Sequence, residues 1–285
     1  MKVKLVTFSD GSLGLRAAGK RLVKQADATG WFHYPSEHWT LKTLHSKMPR
    51  FLMEHQELMK AHPRGLGLWI WKPAIFSYLV EQLEEDDVIL LLDAGCQLNR
   101  TRASDERFKE YLDLCAANDM LLMQLADNSF GFSDVTDAAW TKRSVLDELD
   151  PNSIFRHTNQ IQSGIIFATK SAKSSEVSKK WLDYCAKSQY SYLLEPSGGE
   201  AQTEQFKQHR WEQSIISLIA KSQGIVPLAD ETYFYPKWSE GLNFPIWAMR
   251  NRSGGDAYRR NFRDLFAIFS AKIEREMITR IRGKD

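Results

Sequence analysis

Val88-Ile89-Leu90-Leu91-Leu92, followed by Asp93-Ala94-Gly95-Cys96, is the stretch from which the fold is read. Five apolar residues in succession leave no polar face, the pattern of a central strand in a parallel sheet covered on both sides. Just upstream, Pro73 suits the first position of a helix, where its missing N–H costs nothing, and Ile75, Phe76, Leu79, Val80 and Leu83 recur with helical spacing. Working outward, strands are expected over 2–8, 31–34 (stopped by Pro35), 120–125 and 161–168. Helices are expected up to about Ala26 and over Pro49–Lys60, 104–117, 173–187 and 211–222. Strand and helix alternate, so the fold class is α/β: one domain with a Rossmann-like, mostly parallel central sheet and helices on both faces. Residues 196–209 are polar and glycine-bearing and read as a mobile loop.

The 285 residues carry 38 Lys plus Arg against 36 Asp plus Glu, a net charge of +2. That balance excludes bulk nucleic-acid binding. An aromatic content of 12%, including nine Trp, excludes disorder as the main state. The charge is uneven, however. From Arg250 onward there are ten basic and five acidic residues, which leaves residues 1–249 at −3. No stretch approaches the roughly 18 apolar residues of a membrane span, and the first apolar run is too short for a signal-peptide core. Cys96, Cys115 and Cys185 show neither a disulfide framework nor zinc spacing, so a reducing, cytoplasmic setting is expected.

In open parallel sheets ligands bind beyond the carboxyl ends of the strands. Two such ends are legible, Thr7-Phe8-Ser9-Asp10 and Asp93-Ala94-Gly95-Cys96. Asp93 suits a ribose hydroxyl or a hard divalent cation; a turn aspartate capping its own loop is the competing reading. Lys72 stands just before the helix expected from Pro73, where an ammonium and free N–H groups together suit phosphate; a solvated lysine in an aromatic segment is the alternative. Gly14 to Lys20 matches the G-x-x-x-x-G-K of a phosphate loop, which motivates an ATPase or kinase reading. Arg21 follows where a magnesium-binding hydroxyl is needed, and Leu15, Ala18 and Leu22 fit a plain amphipathic helix.

Trp69-Ile70-Trp71-Lys72-Pro73, Val88 to Cys96, Gln160 to Phe167 and Glu212-Gln213-Ser214, taken in order, resemble a family of GT-A-fold glycosyltransferases from bacteria and viruses. These are nucleotide-sugar-dependent enzymes, similar in plan to the glycogenin and lipopolysaccharide galactosyltransferase type. The resemblance spans about Lys2 to Arg252. It implies a nucleotide-sugar half over 1–100, an acceptor half over 101–249 and a basic C-terminal segment over 250–285. It implies a donor site from Thr7, Phe8, Ser9, Trp71, Lys72, Asp93, Ala94 and Gly95, with Arg250 and Arg252 on the diphosphate. Lys142, Gln162, Ser163 and Gly164 would face the acceptor. Glu212 and Gln213 would be the catalytic pair, Glu212 orienting the sugar or meeting the developing oxocarbenium charge. Asp93 would match the first carboxylate of a D-x-D motif that engages Mn2+ or Mg2+, but Gly95 replaces the second.

The function so implied is transfer of a hexosyl group, with retention, from a nucleoside-diphosphate sugar (UDP favoured) to a glycan or glycolipid acceptor, as in polysaccharide assembly. Inversion with Glu212 as general base is the stereochemical alternative. A non-catalytic protein that keeps the fold is a third hypothesis, motivated by Gly95. A basic amphipathic helix is expected at the C-terminus. It would either dock on the core or make peripheral membrane contact through residues 257–285.

Overall fold

The computed structural model describes residues 1–127 and 129–255. It is a mixed α/β fold built on one six-stranded sheet. The strands are β1 (Val3–Phe8), β2 (Glu37–Trp39), β3 (Val88–Leu92), β5 (Met120–Gln124), β6 (Ile161–Thr169) and β7 (Leu228–Ala229), in the order β2-β1-β3-β6-β5-β7. β2, β1 and β3 pair in parallel, as do β5 and β7, while β6 runs against both β3 and β5. The sheet is therefore mostly parallel with one reversed strand. β3 lies between a parallel and an antiparallel neighbour, not two parallel ones. Burial on both faces dictates the apolar run whichever way the neighbour points.

Alternation along β3 divides the core. Val88, Leu90 and Leu92 pack with Leu22, Phe108 and Tyr111 under α1 (Leu13–Thr29) and α6 (Arg102–Asn118). Ile89 and Leu91 point the other way, into a larger cluster with Phe76, Trp181 and Ile215. Those residues belong to α5 (Trp71–Gln82), α9 (Ala172–Tyr190) and α10 (Glu212–Ser222). At about 25 cal/mol per Å2 of apolar area, these two layers are the dominant stabilising contribution.

Several expectations are corrected. The aromatic run 31–34 is not a strand: His33 N and Tyr34 N both donate to the one Val3 carbonyl, Trp31 N donates to Thr29 Oγ1, and Trp31 stacks on Phe108 at 4.5 Å. The strand forms instead after Pro35, at β2. α2 (Leu41–Lys47) was not expected, because Leu44 is its one buried apolar residue; Thr40 and Thr43 close a capping box at its start. α3 (Pro49–Ala61) has Pro49 at its first position, as read from the sequence. Pro63-Arg64-Gly65-Leu66-Gly67 has the composition of a loop, and a short turn of helix, α4 (Gly65–Leu68), forms within and just beyond it. α7 (Asp137–Trp140) and α8 (Arg143–Leu149) complete the helices. Residues 196–209 are irregular as expected, but backbone bonds tie Lys207 and Gln208 to Ala139, and Arg210 to Trp140. That segment is pinned rather than loose.

Beyond β7 the chain returns through β8 (Ile246–Trp247), which pairs antiparallel with β4 (Gln97–Leu98). This return lays residues 250–255 beside the Asp93 loop. The expected C-terminal helix, with its core-docking and membrane alternatives, lies outside the described residues. Among the described residues no helix is long and apolar enough to cross a membrane.

Candidate active site

The reversal of β6 brings its first residues to the edge where β3 and β1 end. Asp93 N donates to the Gly164 carbonyl at 2.8 Å, locking the Asp93 loop to β6. Lys72, at the start of α5, and Glu212, first residue of α10, reach this edge from the helical layer. Lys72 Nζ lies 3.0 Å from Asp93 Oδ1 and 3.3 Å from Glu212 Oε1. It also donates to Ser163 Oγ at 3.3 Å, and Ser163 in turn donates to Glu212 Oε1 at 2.7 Å. The side chains of Lys72 and Glu212 are 3% and 4% exposed, but that of Asp93 is 42% exposed. Asp93 is thus the member of the cluster open to solvent, and the other two stand behind it.

One ammonium serves two carboxylates here, so the cluster has an excess negative charge in a dry place. Burial alone would pull Lys72 down, but Asp93 and Glu212 outweigh it and its pKa is raised. Glu212 is also pushed up, first by burial and further by the Asp93 charge, against the opposing pull of Lys72 and Ser163. Lys72 therefore stays charged, and Glu212 is the carboxyl that holds a proton more readily than usual. An ion pair this buried adds little net stability, yet removing one partner would strand a charge.

Strained backbone surrounds the cluster. Every residue from Gly65 to Trp69 has positive φ (59°, 48°, 77°, 56° and 61°), a left-handed turn that delivers the chain into α5. Trp211, just before Glu212, has φ 49°, and Arg250 has φ 53°. Non-glycine residues held this way cost about 1–3 kcal/mol each and gather where geometry serves function. α5 begins at Trp71 rather than Pro73. Trp71 packs on Phe8 at 4.2 Å between ring centroids and donates from Nε1 to the Gly65 carbonyl, beneath Lys72.

The Asp93-Ala94-Gly95 loop is built from the other side by Arg21, a residue absent from the sequence-based site. Its guanidinium is buried and donates to the carbonyls of Ala94 (2.8 Å), Cys96 (2.7 Å), Asn251 (3.3 Å) and Ser253 (3.0 Å). Asn251 N also donates to the Gly95 carbonyl at 2.9 Å. A Cβ on Gly95 would sit 3.1 Å from Arg250 Cα, so the chain packed against this loop explains why a second carboxylate is missing there. Of the expected metal-binding pair, Asp93 has its Oδ1 paired with Lys72 and position 95 has no side chain. Among the described residues no three carboxylate, imidazole or thiol groups converge on a position that would hold a metal by protein ligands alone.

Other expected site residues take varied places. Gln213 Oε1 accepts from Ser163 N (3.4 Å), and its Nε2 donates to Gln160 Oε1 (2.7 Å), so it braces β6. Gln162 Nε2 donates to Asp230 Oδ1 and Thr232 Oγ1, both at 3.2 Å. Gly164 is bare because a Cβ would come within 3.0 Å of Asp93 Oδ2. Thr7 is buried with no hydrogen-bond partner for its hydroxyl among the described residues, Phe8 is buried, and Ser9 donates to the Leu15 carbonyl. Lys142 is corrected: its buried ammonium donates to the carbonyls of Ser191 and Leu194, beyond the end of α9, and is committed there rather than to an acceptor. Gly14 to Lys20 lies within regular α1, capped by Ser12, and offers no phosphate loop. Gly14 and Gly19 are small because Arg252 and His38 press on them.

Asp230, which takes the Gln162 amide, and Arg64 and Arg210 lie at positions with no periodicity to flag them in the sequence. No family model and no curated protein matches this sequence. Among solved structures the chain is similar to mouse xyloside xylosyltransferase 1 in its apo form (TM-score 0.44, 9% identity, 87% of this chain and 97% of that one). It is also similar to a glycosyltransferase involved in glycosylation of the major capsid of PBCV-1 (TM-score 0.43, 11% identity, 94% and 100%). Likeness at this level says nothing about activity.

Proposed function

We propose that this chain is a GT-A-like glycosyltransferase that moves a hexosyl group from a nucleoside-diphosphate sugar, UDP favoured, to a glycan or glycolipid acceptor. The observation that carries this is the Lys72–Asp93–Glu212–Ser163 cluster at the carboxyl edge of the sheet, with Arg250 packed against the same loop. In the reaction the bond from the anomeric carbon to the β-phosphate oxygen breaks, and its electron pair leaves with the diphosphate. The acceptor hydroxyl oxygen bonds to that carbon, and its proton passes to the departing phosphate oxygen on the same face, giving retention. Arg250 and Arg252 neutralise the leaving group as guanidinium forks. Lys72 holds Asp93 towards the donor and Glu212 near the developing oxocarbenium. Glu212 is tied to both Lys72 and Ser163, which favours an orienting role over a general-base one.

The charge of the leaving group is met here by arginines without a protein-held divalent cation, in place of the Mn2+ or Mg2+ first expected on Asp93. The test is calorimetry with UDP, GDP and ADP, then nucleotide-sugar hydrolysis with Mn2+ and with EDTA. Micromolar binding of one nucleotide and hydrolysis that persists in EDTA are expected, with a product of retained anomeric configuration by NMR. Absence of binding to all three nucleotides would sink the reading and leave a non-catalytic protein of this fold. Hydrolysis abolished by EDTA would overturn only the metal-free part.

A further inference from the structure

Two arginines close to the cluster have no role in the reaction just described. Arg210 and Trp211 immediately precede Glu212, and both are part of aromatic stacks. The Arg210 guanidinium lies over the Trp140 ring at 4.0 Å, and Arg64, from the loop before α4, lies over the Trp211 ring at 4.3 Å. Trp211 is itself packed against Trp69 at 5.2 Å. Among the described residues neither guanidinium has a carboxylate within ion-pair distance, although Glu195 lies near enough to Arg64 to feel its charge, and Arg210 Nε is buried without a hydrogen-bond partner.

Their charges repel one another. Burial lowers the Arg210 pKa to about 10, helped by the like charges of Arg250 and Arg64 and opposed only by Glu212. Stacking on an indole fixes a guanidinium plane and leaves its edge N–H groups pointing outward, the arrangement that forks a carboxylate or a phosphate. Crowding like charges is unfavourable unless an anion joins them. The donor diphosphate bears one negative charge on each phosphorus, which Arg250 and Arg252 match. Arg64 and Arg210 are surplus to that pair, on the side of Glu212 away from the Asp93 loop in sequence and backed by different elements.

We infer that Arg64 and Arg210, stacked on Trp211 and Trp140, form a subsite for an acidic acceptor, a sugar bearing a carboxylate or a phosphate ester next to the accepting hydroxyl. This rests on the glycosyltransferase reading for the identity of the ligand, but not for the existence of the anion site.

The test titrates the full chain, nucleotide-free and UDP-loaded, with p-nitrophenyl glucuronide, glucose 6-phosphate and the neutral p-nitrophenyl glucoside. At least one acidic probe is expected to bind about tenfold or more tighter than the neutral one. Arg64→Ala, an exposed position where folding is not at risk, and Arg210→Gln should each remove that preference by about tenfold. UDP affinity in both variants should stay within about twofold of the parent. Equal binding of acidic and neutral probes, including none of either, overturns the inference, as does an Arg64→Ala variant that keeps the preference. UDP binding that falls in step with acid binding overturns it too, because the arginines would then serve the diphosphate. Failure of the glycosyltransferase reading is distinguishable: the parent would bind no nucleotide, whatever the acidic probes do.

Discussion

At the residue scale the cluster around Lys72 sets the clearest expectations. Lys72→Met would leave the buried Glu212 without its counter-charge, a loss of about 3–5 kcal/mol for a buried pair broken on one side. A melting temperature well below that of the parent, with donor turnover lost, is expected by calorimetry and assay; an unchanged melting temperature would show that the lysine is not paired. Gly95→Asp is the natural attempt to restore a second carboxylate. Its Cβ starts 3.1 Å from Arg250 Cα, so the chain at 250–252 must give way. The variant is expected to lose about 1–3 kcal/mol, the usual range for overpacking, and to weaken nucleotide binding without becoming Mn2+-dependent. Manganese-stimulated turnover in that variant would argue that the loop has room for a metal after all. Position 95 could be read in the sequence as a departure from the motif. The cause of the departure is a backbone contact with a segment about 155 positions away, which no local pattern records.

At the element scale, what matters is how separate pieces are tied. Arg21 sits on the buried side of α1 and donates to four carbonyls from two loops. Its replacement by Met keeps the apolar stem but leaves those carbonyls without their donor. A loss of about 2–4 kcal/mol is expected from urea unfolding, together with faster proteolysis near residues 250–255. Nicking there at the parent rate would mean that Asn251 and Ser253 are held by other contacts. α1 also shows why a motif match can mislead: Gly14 to Lys20 has phosphate-loop spacing, yet Ser12 caps a helix that runs straight through it. The amphipathic reading of Leu15, Ala18 and Leu22 was the physically better guide. β3, α3 and α10 were legible because each carries its own periodicity or cap. β2 and α2 were not, since three residues in β2 and one buried leucine in α2 give no period to read.

For the whole molecule, acid stability is the property most directly tied to burial. His209 is fully buried between Lys142 N and the Tyr192 carbonyl, and loss of water, then the nearby Lys142 charge, lowers its pKa from 6.5 to about 3. The unfolded chain takes up a proton below its ordinary value while the folded chain does not. Stability from this residue is therefore intact above about pH 6.5 and declines as pH falls towards 3, by roughly 3–5 kcal/mol in all. His209→Gln removes that titration. The variant should be less stable than the parent at pH 7, and the gap should narrow as pH drops to 4. A gap independent of pH would show that His209 is protonated in the folded state or is exposed.

The sequence by itself determined the α/β class, the buried central strand and the helices that carry their own apolar stripes, because those depend on periodicities within a dozen residues. It also marked Asp93 at a strand end and Lys72 at a helix start, while Ser163 and Glu212 were marked only by the motifs of the resemblance. Only the tertiary structure decided that these four meet. Their meeting depends on β6 entering the sheet reversed between β3 and β5, which puts residue 163 at the same edge as residue 93. It likewise committed the Lys142 ammonium to the carbonyls of Ser191 and Leu194 and set Arg21 behind the Asp93 loop. The +2 of the whole chain does not show that Arg210 feels the like charges of Arg64 and Arg250, residues far from it and from each other in sequence. Charge count is a property of composition; charge convergence is a property of the fold.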